Sequence, residues 1–198
     1  MMMKLSKLIY ARSNLLICLI LTLIMILYAS LILGSKGECV TSDLSEGVKL
    51  LGLRFGYSYD SAAELIRSLD YKSLTCYSNL LKIWDNIFPV IYCSMYIFWI
   101  SLIFKNFSFK YSGLSIVNLY PLLPAIFDFA ENYFENTIIT TFLSTHEVPR
   151  EIVSLASILT QTKWTLSILN YILLLTGIAL FLNKQIKRKT KSRKGTGN

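Results

Sequence analysis

An all-α membrane protein is the fold class this sequence predicts: a bundle of four transmembrane helices with a small extracytoplasmic helical cap between helices 1 and 2. Composition gives the first indication. Of 198 residues, 54% are hydrophobic and 16% charged, with a mean hydropathy of +0.50, a balance characteristic of integral membrane chains. The second is run length. Leu15–Leu33, Ile87–Phe104 and Trp164–Leu182 are each near the roughly 20 residues that ~30 Å of hydrocarbon requires. A fourth run, Gly113–Phe127, is short and spans only if its helix continues through the acidic stretch PAIFDFAENYFEN. The third is charge placement. With both termini cytoplasmic, twelve of the 20 basic residues and none of the 12 acidic ones fall on the inner side, as the positive-inside rule requires.

The chain then divides into a cytoplasmic tail (1–13), helix 1 (14–34), the cap (35–85), helix 2 (86–104), helix 3 with an acidic outer end (113–143), helix 4 (150–182) and a basic cytoplasmic tail (183–198). The first apolar run is longer than the ~7–15 residues of a signal-peptide core, and no small-x-small cleavage site follows it. An uncleaved helix is therefore the expectation. In the cap, Asp43-Leu-Ser-Glu46 and Ser61-Ala-Ala-Glu64 have the capping-box spacing of helix starts. Ala62, Leu65, Ile66 and Leu69 continue the second with helical periodicity, and Leu74, Leu80, Leu81 and Trp84 lead on towards helix 2, whose first turn suits Asp85 and Pro89. Such a cap serves either as a connector shielding the bundle or as a lid or docking surface.

Four cysteines are present. Cys18 and Cys93 lie within spans and read as packing residues. Cys39 and Cys76 share the outer segment, in an oxidising compartment under this topology, and their spacing leaves the bonded and free states both open. The tail KQIKRKTKSRKGTGN reads as a topology anchor touching anionic lipid head groups, not as a nucleic-acid site. The sequon Asn106-Phe-Ser108 falls in the inner loop, where no glycan is added.

Asp128, Glu131, Asn132 and Glu135 are spaced i, i+3, i+4, i+7 and stack along one side of helix 3. Pro121 and Pro124 are expected to kink that helix. Helix 4 has a matching face in Thr160, Lys163, Ser167 and Asn170. At ~1.5 Å per residue, counted from Gly113 and back from Leu182, Glu131 comes level with Lys163 and Asp128 with Ser167. A charge costs ~2.5–3.5 kcal/mol at mid-bilayer on insertion scales, so opposite charges at one level point to a polar pocket between helices 3 and 4, opening outward beneath the cap. Asp128, Glu131, Asn132, Glu135, Lys163, Ser167 and Asn170 are its candidate ligand-binding residues. Two uses stand open: fixing helix register, or binding a proton, cation or lipid head group.

No catalytic template is found. The lone His146 has no second histidine as a metal partner, and there is no phosphate loop, nucleophile elbow or His-Glu-x-x-His. No metal and no cofactor is expected. Residues Pro121, Asp128, Glu131 and Asn132, with Ala125 one place off a strict Pro-x-x-Ala-x-x-Asp-x-x-Glu-Asn pattern, stand with Lys163-Trp164 and Gly56-Tyr-Ser-Tyr-Asp60. Together they resemble an uncharacterised, mainly bacterial group of small four-span membrane proteins, over roughly residues 56–182. The resemblance implies the four-helix layout and a bacterial inner membrane over a eukaryotic endomembrane, and supplies no activity.

The function expected is that of a non-enzymatic assembly or ligand- or lipid-binding protein, its partners the bilayer and a further copy or another membrane protein. A small cation- or proton-coupled transporter component is the alternative, and a membrane enzyme acting on lipid head groups stands behind it.

Overall fold

The computed structural model describes residues 2–42, 44, 48–105 and 112–195, with side chains omitted for 112–115 and from 184 onward. Every regular element among the described residues is helical. In chain order they are α1 (Met2–Arg12), α2 (Leu15–Thr41), a 3₁₀ turn Leu51–Leu53, α3 (Tyr59–Ser68), α4 (Tyr71–Phe104), a 3₁₀ segment Ser112–Leu119, α5 (Leu122–Thr145) and α6 (Arg150–Gly195). The helix start expected at Asp43 and Glu46, the Asn106 sequon and the basic side chains after Asn183 lie outside the described residues.

Three helical stretches are long and apolar enough to cross a membrane: Leu15–Thr41, Tyr71–Phe104 and Arg150–Asn183. α2 is the barest of them. Leu15, Leu16, Leu19, Ile20, Leu23 and Ile24 are all exposed, and no water-soluble packing explains so much uncovered apolar surface. Its other side lies on α4, where Trp99 Nε1 donates to Thr22 Oγ1 at 2.9 Å and the Tyr28 hydroxyl donates to the Trp84 carbonyl at 2.7 Å. Both α2 and α4 pass through a π-helical turn, Tyr28–Leu33 and Leu80–Trp84. These extend the helices beyond the boundaries expected from hydropathy: α2 runs on to Thr41, and no new helix begins near Asp85 because the turns before it already share its axis.

Other starts are set by caps. α3 begins at Tyr59, not Ser61, because Ser58 Oγ accepts the Ser61 N–H at 3.2 Å. Asp70 Oδ1 does the same for Ser73 at 2.7 Å and opens α4, and that hydrogen bond holds the Asp70 carboxyl below its usual range. Pro149 precedes α6, the break expected there. His146 closes α5 in the left-handed conformation, φ 61°, its N–H on the Phe142 carbonyl at 2.8 Å.

Residues 2–12, within the segment expected as a cytoplasmic tail, form a helix whose Ser6 is 1% exposed and donates to Asn118 Oδ1 at 2.7 Å. Asn118 in turn donates to Ser101 Oγ at 2.9 Å, so α1, the 3₁₀ segment and α4 share one buried polar knot. The third long helix starts at Leu122, not Gly113. Pro121 is its N-cap residue and Pro124 falls in its first turn, where a missing N–H costs nothing, so they start the helix instead of kinking it.

The largest core forms where Val40 and residues 50–81 meet the ends of α5 and α6: Val40, Leu51, Ile66, Leu74 and Tyr77 pack with Ile138, Ile139, Val153 and Ala156. The Cys39–Cys76 disulfide, Cα atoms 6.4 Å apart, ties the end of α2 to α4 beside it. At the other end α6 crosses α4 through Gly177, where a Cβ would lie 2.7 Å from both Ile103 Cγ2 and Phe104 Cε2. Gly177→Val therefore forces the two helices apart, and thermal unfolding of the purified protein in detergent should show a loss of about 1–3 kcal/mol.

Candidate functional site

Two faces built at helical spacing meet at the α5–α6 contact. On α5, Asp128, Glu131, Asn132 and Glu135 are all buried, at 6%, 0%, 3% and 0% exposure. Placing carboxylates where neither water nor bulk ions reach them demands partners, and α6 supplies the strongest. Lys163 Nζ lies 2.5 Å from Glu131 Oε2 and 3.4 Å from Asp128 Oδ1. One turn earlier, Thr160 donates its hydroxyl to Glu131 Oε1 at 2.9 Å.

Tyrosines complete the shell. Tyr92 of α4 donates to Asp128 Oδ2 at 2.9 Å. Glu135 receives no ion pair among the described residues; its oxygens take the hydroxyl of Tyr77 at 3.0 Å and, more loosely, that of Tyr57 at 3.4 Å. Burial, and next the Glu135 charge, push the Tyr57 hydroxyl well above its usual range, so it remains a neutral donor. Asp85, at the end of the π turn in α4, stands close enough to interact electrostatically with Asp128 and Lys163. The result is one ammonium among three buried carboxylates with a fourth nearby.

The segment Leu50–Tyr57 closes this assembly. The Gly52 carbonyl accepts from Lys163 Nζ and from Trp164 Nε1, both at 3.3 Å. On its other side, a Cβ at Gly52 would sit 3.1 Å from Glu131 Oε1 and 3.6 Å from Glu135 Oε1. Only a residue without a side chain lets backbone approach both charges at once. The Leu51 N–H donates to the Tyr77 hydroxyl at 3.2 Å, and the Tyr57 N–H to Ser157 Oγ at 2.9 Å. The space expected between helices 3 and 4 is thus occupied by the chain itself.

Of the residues singled out in the sequence, Asp128, Glu131, Glu135 and Lys163 are brought together. Asn132 is buried beside them, with its Nδ2 unpaired. Ser167 is not in the cluster: Asp128, expected level with it, bonds Lys163 and Tyr92 instead, because the four-carbon lysine stem spans the difference in height. Asn170 is buried with Oδ1 unpaired, outside the hydrogen-bonded shell. Gly52, Tyr77 and Tyr92 escaped the sequence reading, and Tyr57 entered it only within Gly56-Tyr-Ser-Tyr-Asp60, with no role at the carboxylates. A usable signal existed for Tyr77 and Tyr92, since a tyrosine on a buried helix face needs a partner for its hydroxyl. Nothing local marks Gly52.

Among the described residues, no three His, Cys, Asp or Glu side chains are grouped to hold a metal ion. No family model, curated protein or solved structure matches the chain.

Gly52→Ala puts a methyl group against two carboxylates and should cost about 1–3 kcal/mol of thermal stability. Leu53→Ala, one residue on at a 60%-exposed position, should leave unfolding within about 0.5 kcal/mol of the parent.

Proposed function

We propose that this chain is a four-span integral membrane protein, α2, α4, α5 and α6 crossing the bilayer, with both termini cytoplasmic and residues 35–84 forming a helical cap outside. We further propose that it acts not as an enzyme but as a binding protein for a small cation, the proton included, at the carboxylates beneath Gly52. Support for the placement comes from the one-sided distribution of basic residues and from the uncovered apolar surfaces of α2 and α6. α5, too polar to qualify as a span alone, is screened on its charged face by α4, α6 and the 50–57 segment.

One observation carries the binding reading: the cluster holds more negative charge than the protein neutralises. Lys163 offsets one of Asp128, Glu131 and Glu135, and hydroxyl donors do not cancel net charge. In a medium of low dielectric an uncompensated carboxylate costs several kcal/mol, so the remaining charge is balanced by bound protons or a bound monovalent cation.

A purely structural cluster makes the contrary forecast for Glu135→Gln. If Glu135 is kept for binding, the isosteric amide relieves repulsion, and the variant melts at the same temperature as the parent or above it. It also loses the parent's dependence of melting temperature on pH at fixed salt, or on sodium or potassium at fixed pH; which of the two is lost distinguishes proton from cation. A variant destabilised by about 2 kcal/mol or more, with the parent insensitive to both pH and salt, overturns the proposal.

A further inference from the structure

α1 is fixed to the bundle along one side only. Ser6 bonds Asn118, which bonds Ser101 of α4, and just past the helix Lys105 Nζ donates to the Ser13 carbonyl at 3.2 Å. Ser101 is four residues, roughly 6 Å, from Lys105. The apolar run of α4 ends at Phe104 and that of α2 begins at Leu15. Under the four-span placement α1 therefore lies within roughly 6 Å of the inner edge of the hydrocarbon, the depth at which helices rest in the membrane interface.

The contacts of α1 also show which way its flanks point. Ile9 and Tyr10 lie on either side of Ser6 at 100° per residue. Ile9 packs on the cluster of Cys93, Ile97 and Ala125, whereas Tyr10 packs on Ile100, Ile103 and Phe104, nearer the inner end of α4. The Ile9 flank thus faces the bilayer interior and the Tyr10 flank faces the inner surface. Leu5, 47% exposed, belongs to the first flank, and Leu8, 57% exposed, points away from the bundle. Lys7 follows Tyr10 around the helix and Lys4 stands one turn from it, both exposed. Lysine stems at this depth carry their ammonium groups out to the head groups. Lys4 and Lys7 pair with no carboxylate among the described residues, and the first acidic residue of the chain, Glu38, comes only after α2 has crossed.

We propose that α1 binds the phosphate of an anionic phospholipid of the inner leaflet between Lys4 and Lys7, with the acyl chains against Leu5 and Leu8. Two ammonium groups one turn apart, unopposed by acids and edged by leucines, match an amphiphile with an anionic head. The proposal rests on the membrane placement above but not on the cation site. Through Ser6 and Asn118, the occupied helix bears on α4 and on the segment that leads into α5.

Native mass spectrometry of the full chain in detergent, titrated with phosphatidylglycerol or phosphatidylcholine of identical acyl chains, tests this. Lys4→Gln and Lys7→Gln should each lower the preference for phosphatidylglycerol about fivefold, the worth of one basic residue at a lipid surface. Together they should abolish most of it, at an unchanged melting temperature. Lys187→Gln with Arg188→Gln removes the same charge from the tail and should change the preference less than about twofold. Leu8→Asn, which keeps the charge, should weaken retention of both lipids and leave their ratio unaltered. Soluble glycerol phosphate at millimolar concentration should not displace the lipid; displacement overturns the lipid as occupant. A preference that survives the paired change of Lys4 and Lys7, or that falls equally with the tail change, overturns the α1 site. A full chain that does not insert into liposomes overturns the membrane placement itself, whereas insertion with equal retention of the two lipids overturns the α1 site alone.

Discussion

Lys163 is the group on which the rest of this structure depends. Its ammonium meets Glu131 and Asp128 of α5 and the Gly52 carbonyl of the covering segment, so three separate parts of the chain converge on one charge. Without it, α5 would carry three carboxylates into a place that neither water nor lipid solvates. The packing follows from satisfying them. α6 must lie against α5 at the height where the lysine stem reaches, Tyr92 fixes how α4 meets Asp128, and Tyr77 holds Glu135. The hydrophobic contacts around Ile138, Ile139 and Val153 complete an arrangement whose register the charges have already set.

The covering segment shows how backbone substitutes for side chains when the neighbours are charged. Leu50 to Tyr57 has little regular structure, yet it places a carbonyl on an ammonium, an N–H on a phenol and a second phenol on a carboxylate. Each contact spends a backbone or hydroxyl group that would otherwise need water. Such a segment is held by a few polar contacts and by Leu50 and Leu51, buried in the core that Tyr57 packs against. Elements of this kind open at lower free energy than packed helices do. That gives the buried site, as proposed, a route to its surroundings without disturbing α5 or α6.

Much of this was legible in the sequence because it rests on period and composition. Helical spacing alone put Asp128, Glu131 and Glu135 on one face, and counting rise per residue brought Glu131 to Lys163. The same count failed for Asp128 and Ser167, since it compares Cα heights and ignores the reach of a lysine. A kink is the ordinary reading of prolines 121 and 124 in an apolar run; their place at the cap and in the first turn is visible only once the 3₁₀ segment before them is seen. The packing of α1 depends on Ser6 meeting Asn118, a contact 112 residues apart that no local pattern announces. Gly52 was invisible for the same reason, its value lying wholly in what approaches it.

A double-mutant cycle on Glu131→Gln and Lys163→Met, read as thermal stability of the purified protein in detergent, bears most directly on the claim that Lys163 organises the cluster. The account predicts that Lys163→Met alone costs about 3–5 kcal/mol, because it strands buried carboxylates. The double variant should recover part of that loss, with a coupling energy of at least about 1 kcal/mol. Single losses that simply add, to within about 0.5 kcal/mol, would mean that the two groups are neighbours without being partners. The packing of α5 on α6 would then have to come from the apolar contacts alone.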